Sequence, residues 1–399
     1  MNTTPPTRLI NMPLPTPGSM GPPLEYARLR RECPLARVRM PMDASAWYVT
    51  RHADVRALLA DPRLTRPTIN DWPPRPHHAA SDGPGLVTMM ELDGPQHTAL
   101  RRALAKPFSR RAIKARIPSL RQIANQLLDA FTAENSPADL VSAYLEPFPL
   151  MVMCELVGIP YQDRDHFLPL ADAALGALIT LDEGRRATQS LREYISCLIR
   201  RKQRTPTNDI LTTLIHARDT GALNDETLIS FGLSMLVAGY RTTTMFLANT
   251  VLTLLQKPGQ YGRLRDDRSL LPSAVEEFLR YMPVMNGVVV LQANEDLSLH
   301  GQTIRKGEAV LPVIAAANRD NHTFANPDQL DLRRIDNPHL AFGRGTHNCI
   351  GSHLARAQLT VALKALLDRF PHLRIAEGHQ PTWDDTSPSK SPLTLPVVW

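Results

Sequence analysis

The stretch Asp225–Gln256 constrains this chain more than any other. Its residues (DETLISFGLSMLVAGYRTTTMFLANTVLTLLQ) are apolar on nearly every helical face, and no proline interrupts them. Asn224 can cap the start, Asp225 and Glu226 suit a positive helix end, and Lys257-Pro258 stops the run. At 1.5 Å per residue such a helix is about 45 Å long, enough to cross a whole domain. A helix that is apolar all round must be central and covered by other elements.

The remaining sequence supplies that cover. From 97 to about 217 the apolar spacing is mostly three to four, which predicts several helices separated at Ser136-Pro137, 158–160 and 205–208. Shorter helices are expected at 52–61, stopped by Pro62, at 272–281, and from about 351 to 369. Strand-like pieces fall at 37–49, read as a hairpin, and at 288–291, 297–299 and 309–314. Residues 1–34 read as a Pro-rich lead-in to the same domain, and 66–87 as a long loop of the kind that often forms a functional lid. The 35 prolines among 399 residues, about twice the average frequency, fit many short segments and loops. No internal repeat is present. The expected fold is mainly α (α+β): one large helical domain over 35–399 with a small β-rich part.

A composition of 43% hydrophobic and 21% charged residues excludes a disordered or fibrous chain. No two of the four cysteines stand at a CxxC spacing, so neither a zinc site nor a disulfide scaffold is indicated. The N-terminus lacks a basic-then-apolar signal pattern, and no apolar run approaches the roughly 18–20 residues of a membrane span. A cytoplasmic, membrane-independent protein is the expectation. The net charge of +6 comes from basic residues mixed with acids along the chain. That pattern predicts no nucleic-acid partner, but allows one basic face for an acidic protein.

The chemistry concentrates in Phe342-Gly343-Arg344-Gly345-Thr346-His347-Asn348-Cys349-Ile350-Gly351. A glycine-rich turn here delivers one cysteine to the start of a helix, where orphan N–H groups and the helix dipole stabilise a thiolate. Gly351 leaves room for a flat ligand beside the sulfur. Such a thiolate suits axial ligation of haem iron. The plainer alternative is a buried cysteine next to a turn.

The run resembles the haem-binding loop of the cytochrome P-450 superfamily, Phe-Gly-x-Gly-x-His-x-Cys-x-Gly. Six fixed positions would recur by chance in a chain this long on the order of once in a million. The resemblance extends over nearly the whole chain. It implies haem b with Cys349 as the only protein ligand to iron, and Phe342, Gly343, Arg344, Gly345, His347 and Gly351 around the cofactor. Glu277 and Arg280 look like the family's Glu-x-x-Arg helix, with Arg334 as the partner in a buried structural network; alone, the pair is an ordinary i,i+3 ion pair. Asp93–Arg102 is similar to the family's DPPxHTxxRR segment, so His97 and Arg101, at i,i+4 on one helix face, are implied propionate donors, as are His339 and Arg344. Each could equally be a solvated surface residue. Ala238-Gly239-Tyr240-Arg241-Thr242 resembles the oxygen-activating motif, in which the helix bulges and Thr242 relays protons; the alternative is a common helix-packing pattern.

Two positions depart from the family pattern. Arg241 stands where an acid is usual, and a guanidinium cannot shuttle protons. Leu291 stands where a propionate-binding arginine is usual. The resemblance places the substrate pocket at Trp72, Met89, Leu175, Leu178, Met235, Val237, Ala238, Met285, Asn286 and Val288, all of which core packing would also explain. It includes the 66–90 loop and a turn near 387–390. Mostly apolar walls suit a mid-sized apolar molecule, and the resemblance implies natural-product biosynthesis.

The implied reaction is insertion of one oxygen atom from dioxygen. The two electrons come from NAD(P)H through a ferredoxin reductase and a ferredoxin, with Arg101, Arg102, Lys106, Arg110, Arg111, Arg344 and Arg356 as a docking face. A monomer is expected. Alternatives are oxidative coupling of a cyclic-dipeptide-like or aromatic substrate, a peroxygenase using Arg241, and a haem sensor without turnover.

Overall fold

The computed structural model describes residues 10–11, 21–39, 44–66, 89–134, 136–175, 181–282, 284, 289–383 and 391–399. The chain opens with β1 (Ile10–Asn11), α1 (Glu25–Glu32), β2 (Leu35–Arg39), β3 (Ser45–Val49), α2 (His52–Leu58) and β4 (Leu64–Thr65). Next come α3 (Gly94–Ala105), α4 (Arg110–Thr132), the short β5 (Ala138–Asp139), a π-helical turn at Val141–Leu145, and α5 (Pro147–Val157). They are followed by α6 (Arg164–Leu175), α7 (Leu181–Arg204), α8 (Ile210–Asp219), α9 (Asp225–Gln256), α10 (Pro258–Asp266) and α11 (Leu271–Tyr281). The last part holds β6 (Leu291–Ala293), β7 (Leu297–Leu299), β8 (Gln302–Ile304), β9 (Ala309–Pro312), α12 (Ile314–Ala317), α13 (Ser352–Arg369), β10 (Arg374–Ile375) and β11 (Pro396–Val398). Among the described residues no helix is long and apolar enough to cross a membrane.

Two compact units emerge, one of Met1–Arg75 with Glu276–Cys349, the other of Pro76–Val275 with Ile350–Trp399. The second is helical. Asn224 caps α9 by accepting the Thr227 N–H at 2.8 Å, as its position in the sequence predicts. Helix α9 spans 32 residues and packs against α5, α7, α8, α10 and α13. Phe231, Tyr240, Leu247 and Leu252 are fully enclosed. Its apolar character thus has its physical cause: five packed helices enclose most of its apolar side chains. The small antiparallel sheet β10-β11-β5 belongs to this unit.

The first unit is built on a six-stranded sheet in the order β1-β2-β3-β9-β6-β4. The predicted hairpin is β2–β3, with Leu35 opposite Val49 and Arg39 opposite Ser45. The lead-in contributes β1 to the sheet edge and α1 beside α12. Strands β6 and β9 come from far along the chain, β3 pairing in parallel with β9. The start of α2 is held by Asp320, which accepts the His52 N–H at 2.8 Å. Burial opposes the charge on Asp320, but donors from His52 and His322 outweigh it and hold this carboxyl below its ordinary range.

Between Asn318 and Cys349 the described chain has only a single 3-10 turn, yet it is pinned by side chains. Glu277 on α11 is fully buried and lies between Arg280 (2.8 Å) and Arg334 (3.0 Å). It also accepts from the Asp331 N–H at 2.8 Å and Asn337 Nδ2 at 3.3 Å. Arg280 spends its other donors on the carbonyls of Asn318, Pro327 and Gln329, and Arg334 donates to that of Ala325. Guanidinium forks matched to one carboxylate and to free carbonyls replace the ladder that this segment lacks. Removing Glu277 strands two cations in the interior. Glu277→Ala should therefore lower unfolding stability by about 3–5 kcal/mol in a denaturant titration, whereas the same change at the exposed Glu295 should leave the midpoint unchanged.

Candidate active site

The cysteine loop lies at the end of the first unit. Gly343 and Gly345 adopt φ of +68° and +73°, the left-handed region that a Cβ disfavours. The loop closes on itself: Cys349 N–H donates to the Phe342 carbonyl at 2.8 Å, and Asn348 Nδ2 donates to the carbonyls of Phe342 (3.3 Å) and Gly343 (3.2 Å). Gly345 also permits a close approach, since a Cβ there would stand 2.6 Å from the Leu59 carbonyl oxygen and 2.9 Å from Ala60 Cα.

The outcome is an exposed Cys349 in no disulfide, three residues before α13, with Gly351 at the helix cap. Cysteine is ordinarily among the most buried residue types. An exposed sulfur on a braced loop, before a glycine-capped helix start, has the donor chemistry that a haem iron would need from a protein ligand. Arg344 is exposed and His347 half-buried.

Two further positions that the resemblance singles out lie in this unit. His339, expected to face a haem propionate, is committed within the unit: Nδ1 accepts the Ala341 N–H at 3.2 Å and Nε2 meets Glu276 Oε2 at 3.1 Å. Both ring nitrogens are thus engaged, and the side chain is only 3% exposed. Leu291 sits in the apolar core with Trp47, Val55 and Val310, so its position holds packing rather than a cation.

In the second unit, His97 is buried and Arg101 half-buried on α3, one turn apart, while Arg102 is exposed. Helix α9 carries Ala238, Gly239, Arg241 and Thr242. It continues as unbroken α-helix through these residues, without the bulge expected from the motif. The Thr242 hydroxyl bonds back to the Ala238 carbonyl at 2.8 Å, and the Thr243 hydroxyl to that of Gly239 at 2.9 Å. These i−4 bonds satisfy the hydroxyls without opening the ladder. Gly239 has a second reason to lack a side chain, because a Cβ would come within 2.4 Å of the Met153 thioether on α5. Arg241 is exposed, with its guanidinium 5.8 Å from the Tyr240 ring centre.

Of the pocket residues, Met89 and Met235 are buried. Trp72, Leu178, Met285, Asn286 and Val288, with the 67–88 part of the loop and the turn at 387–390, lie outside the described residues, as do the side chains of Leu175 and Val237. Glu276, Asn348 and Met153 were not read from the sequence as site residues. The only signal for Glu276 was its place beside Glu277, and for Asn348 its place inside the cysteine loop. The two glycines separate conformational strain from steric collision. Gly343→Ala, whose Cβ would have no neighbour nearer than 3.8 Å, should cost about 1–2 kcal/mol in a thermal melt. Gly345→Ala should cost more, because it meets backbone as well.

Comparison with known proteins agrees with this loop and this fold. The cytochrome P450 family model matches residues 180–396. The chain is 40% identical over 379 residues to a mycinamicin IV hydroxylase/epoxidase of Micromonospora griseorubida, covering 94% of each chain. It is 38% identical over 377 residues to a nocardicin C N-oxygenase of Nocardia uniformis subsp. tsuyamanensis, again covering 94% of each. Among solved structures it resembles the LnmA cytochrome P450 hydroxylase of the leinamycin pathway from Streptomyces atroolivaceus, with a TM-score of 0.88 and 38% identity, covering 98% of this chain and 100% of that one. With a cysteine loop of this form, and with relatives matched along almost their entire length, the chain belongs to the cytochrome P450 family of bacterial oxidoreductases.

Proposed function

We propose that this protein is a haem-thiolate monooxygenase that oxidises a mid-sized, mostly apolar natural-product intermediate. The exposed Cys349 on its braced loop carries the reading. Haem b held by Cys349 would supply dioxygen activation with two electrons and transfer of one oxygen atom to the substrate. Phe342, Gly343 and Gly345 hold the loop that presents the sulfur, and the Gly351 cap leaves the helix start open to a flat ring system. His97 and Arg101, one turn apart on α3, suit a pair of carboxylates; Arg344 and His347 are further donors.

On α9, the Thr242 hydroxyl donates to Ala238 and keeps its lone pairs free to accept. This assigns Thr242, with solvent, the handling of protons, because Arg241 stays charged at any working pH. The reaction class follows the relatives. Their names include a hydroxylase/epoxidase and an N-oxygenase, both of which insert oxygen, and this favours insertion over coupling. The four cysteines, none in a disulfide, suit a reducing cytoplasm.

The electron donor we assign is a small acidic ferredoxin fed by its reductase. Arg102, Lys106, Arg110 and Arg111 are exposed and have no ion-pair partner among the described residues. Arg110 and Arg111 open α4, whose first turn holds no acid. Cations at a helix N-terminus oppose its dipole, a cost to folding that an acidic partner would offset. Arg101 and Arg356 are less exposed and already engaged, and Arg344 is assigned to the cofactor, which leaves the first four as the docking set.

Two measurements test the reading. Cys349→Ser should abolish the red-shifted Soret band of the reduced, carbon-monoxide-bound protein, and wild-type protein lacking that band would overturn the assignment. Arg102→Glu with Arg110→Glu should slow reduction by ferredoxin at least tenfold at low salt, with substrate-induced spectral shifts unchanged. Turnover with peroxide alone, and none with the reductase chain, would replace the monooxygenase by a peroxygenase.

A further inference from the structure

At the turn that carries Thr242, helix α9 has two unlike faces. Ala238 and Arg241 are exposed there, and Thr242 and Met245 are half-buried, so this side of the helix is open. Gly239 points elsewhere, toward the buried Met153 of α5. A Cβ on Gly239 would stand 2.4 Å from both Sδ and Cε of Met153 and 3.0 Å from its Cγ. The thioether thus fills the place of the missing side chain. Gly232, about two turns earlier on the same face, receives Leu211 of α8 and Ile195 of α7, whose nearest atoms would lie 3.0 and 3.1 Å from a Cβ there. Those neighbours need yield only a few tenths of an ångström. Gly239 has no such margin, because three consecutive atoms of Met153 stand in the way and that side chain is enclosed in a close-packed interior.

One peptide carries this contact to the open face. The Ala238 carbonyl accepts the Thr242 hydroxyl at 2.8 Å. The nitrogen of the same peptide belongs to Gly239, whose Cα lies against the thioether. The next carbonyl, that of Gly239, accepts the Thr243 hydroxyl at 2.9 Å. Whatever presses on Gly239 therefore fixes the peptide that holds the Thr242 hydroxyl. Helix α5 gives Met153 a firm base, since Glu155 accepts the Ser119 hydroxyl at 2.7 Å and Arg116 Nη1 at 3.3 Å, both from α4.

We propose that Met153 is a positioning residue for Thr242: its thioether, lodged against Gly239, sets the Ala238–Gly239 peptide and with it the place of the Thr242 hydroxyl. The proposal rests on the reading of Thr242 as the group that handles protons. Methionine suits the task because its unbranched, adaptable chain fills a narrow notch.

A size swap on haem-loaded protein tests it. Two quantities are measured: the midpoint of thermal unfolding, and the rate at which dioxygen reoxidises the dithionite-reduced protein, in light and in heavy water. Gly239→Ala should lower the midpoint, slow reoxidation on the order of tenfold, and bring the solvent isotope ratio to that of Thr242→Ala. Met153→Ala alone, which empties the notch, should move the rate and the ratio the same way by less. Combining the two removes the colliding atoms, so the double variant should reoxidise within about twofold of wild type and melt no lower than Met153→Ala alone. Gly232→Ala, on the same face without that collision, should keep the wild-type ratio. A Gly239→Ala protein that keeps the wild-type rate and ratio, its thioether having swung aside, overturns the proposal. So does a change that Met153→Ala fails to reverse. Should Gly239→Ala not fold, a folded double variant supports the pair and an unfolded one overturns it. A Thr242→Ala protein with the wild-type ratio would instead overturn the underlying reading of Thr242, while the melts still report on the pair.

Discussion

A carboxylate with no exposure to solvent persists only where its charge is fully matched, and Glu277 meets that demand with five donors: two from Arg280 and one each from Arg334, Asp331 N–H and Asn337. The cost of breaking such a set far exceeds the net gain from making it, because the stranded partners remain buried. This asymmetry suits a segment that must hold one shape without regular structure. From Asn318 to Cys349 the described chain has a single 3-10 turn and no strand or α-helix. Loops of that length are uncommon in compact folds unless they carry function. Here the guanidinium forks of Arg280 and Arg334 do for the segment what a hydrogen-bonded ladder does elsewhere.

The cysteine loop continues the same logic with smaller parts. Two glycines in the left-handed region turn the chain, the Asn348 side chain bridges two carbonyls, and the Phe342 carbonyl takes the Cys349 N–H. Every one of these contacts lies within the loop or at its base, so the loop arrives at α13 already shaped. Preorganisation of this kind is what a metal ligand requires, since a thiolate that had to be ordered on binding would give up part of its affinity to entropy. Helix α9 shows the complementary case. The Thr242 and Thr243 hydroxyls bond back onto its own carbonyls, and Gly239 faces a methionine, so a motif that would suit a bulge is accommodated in continuous helix.

The legibility of these features in the sequence depended on how local their causes are. Helix α9 was readable to its end residues because its cap, its acidic first turn and its terminating Lys257-Pro258 are all adjacent in the chain. Glu277, Arg280 and Arg334 could be named, though the carbonyls they bind could not. Short strands such as β8 and the helix α12 were missed, since a three- or four-residue element takes its stability from distant partners. His339 shows the limit most clearly. A histidine beside a glycine-rich haem-type loop invites a cofactor role, and nothing in the sequence signals that Glu276, 63 residues earlier, takes its Nε2.

By itself the sequence determined the helical class, the central apolar helix, the cysteine to which the proposed chemistry is assigned and the glycines that shape its loop, because each is written in residues close together along the chain. Tertiary structure alone decided that β3 pairs with β9, that Leu291 belongs to the apolar core, that His339 serves a backbone amide, and that α9 runs straight past Gly239. The physical reason is the same in each case. Burial and hydrogen-bond satisfaction are settled between groups that meet only when the chain has folded, and a side chain with two open donors or acceptors takes whichever partners that meeting supplies.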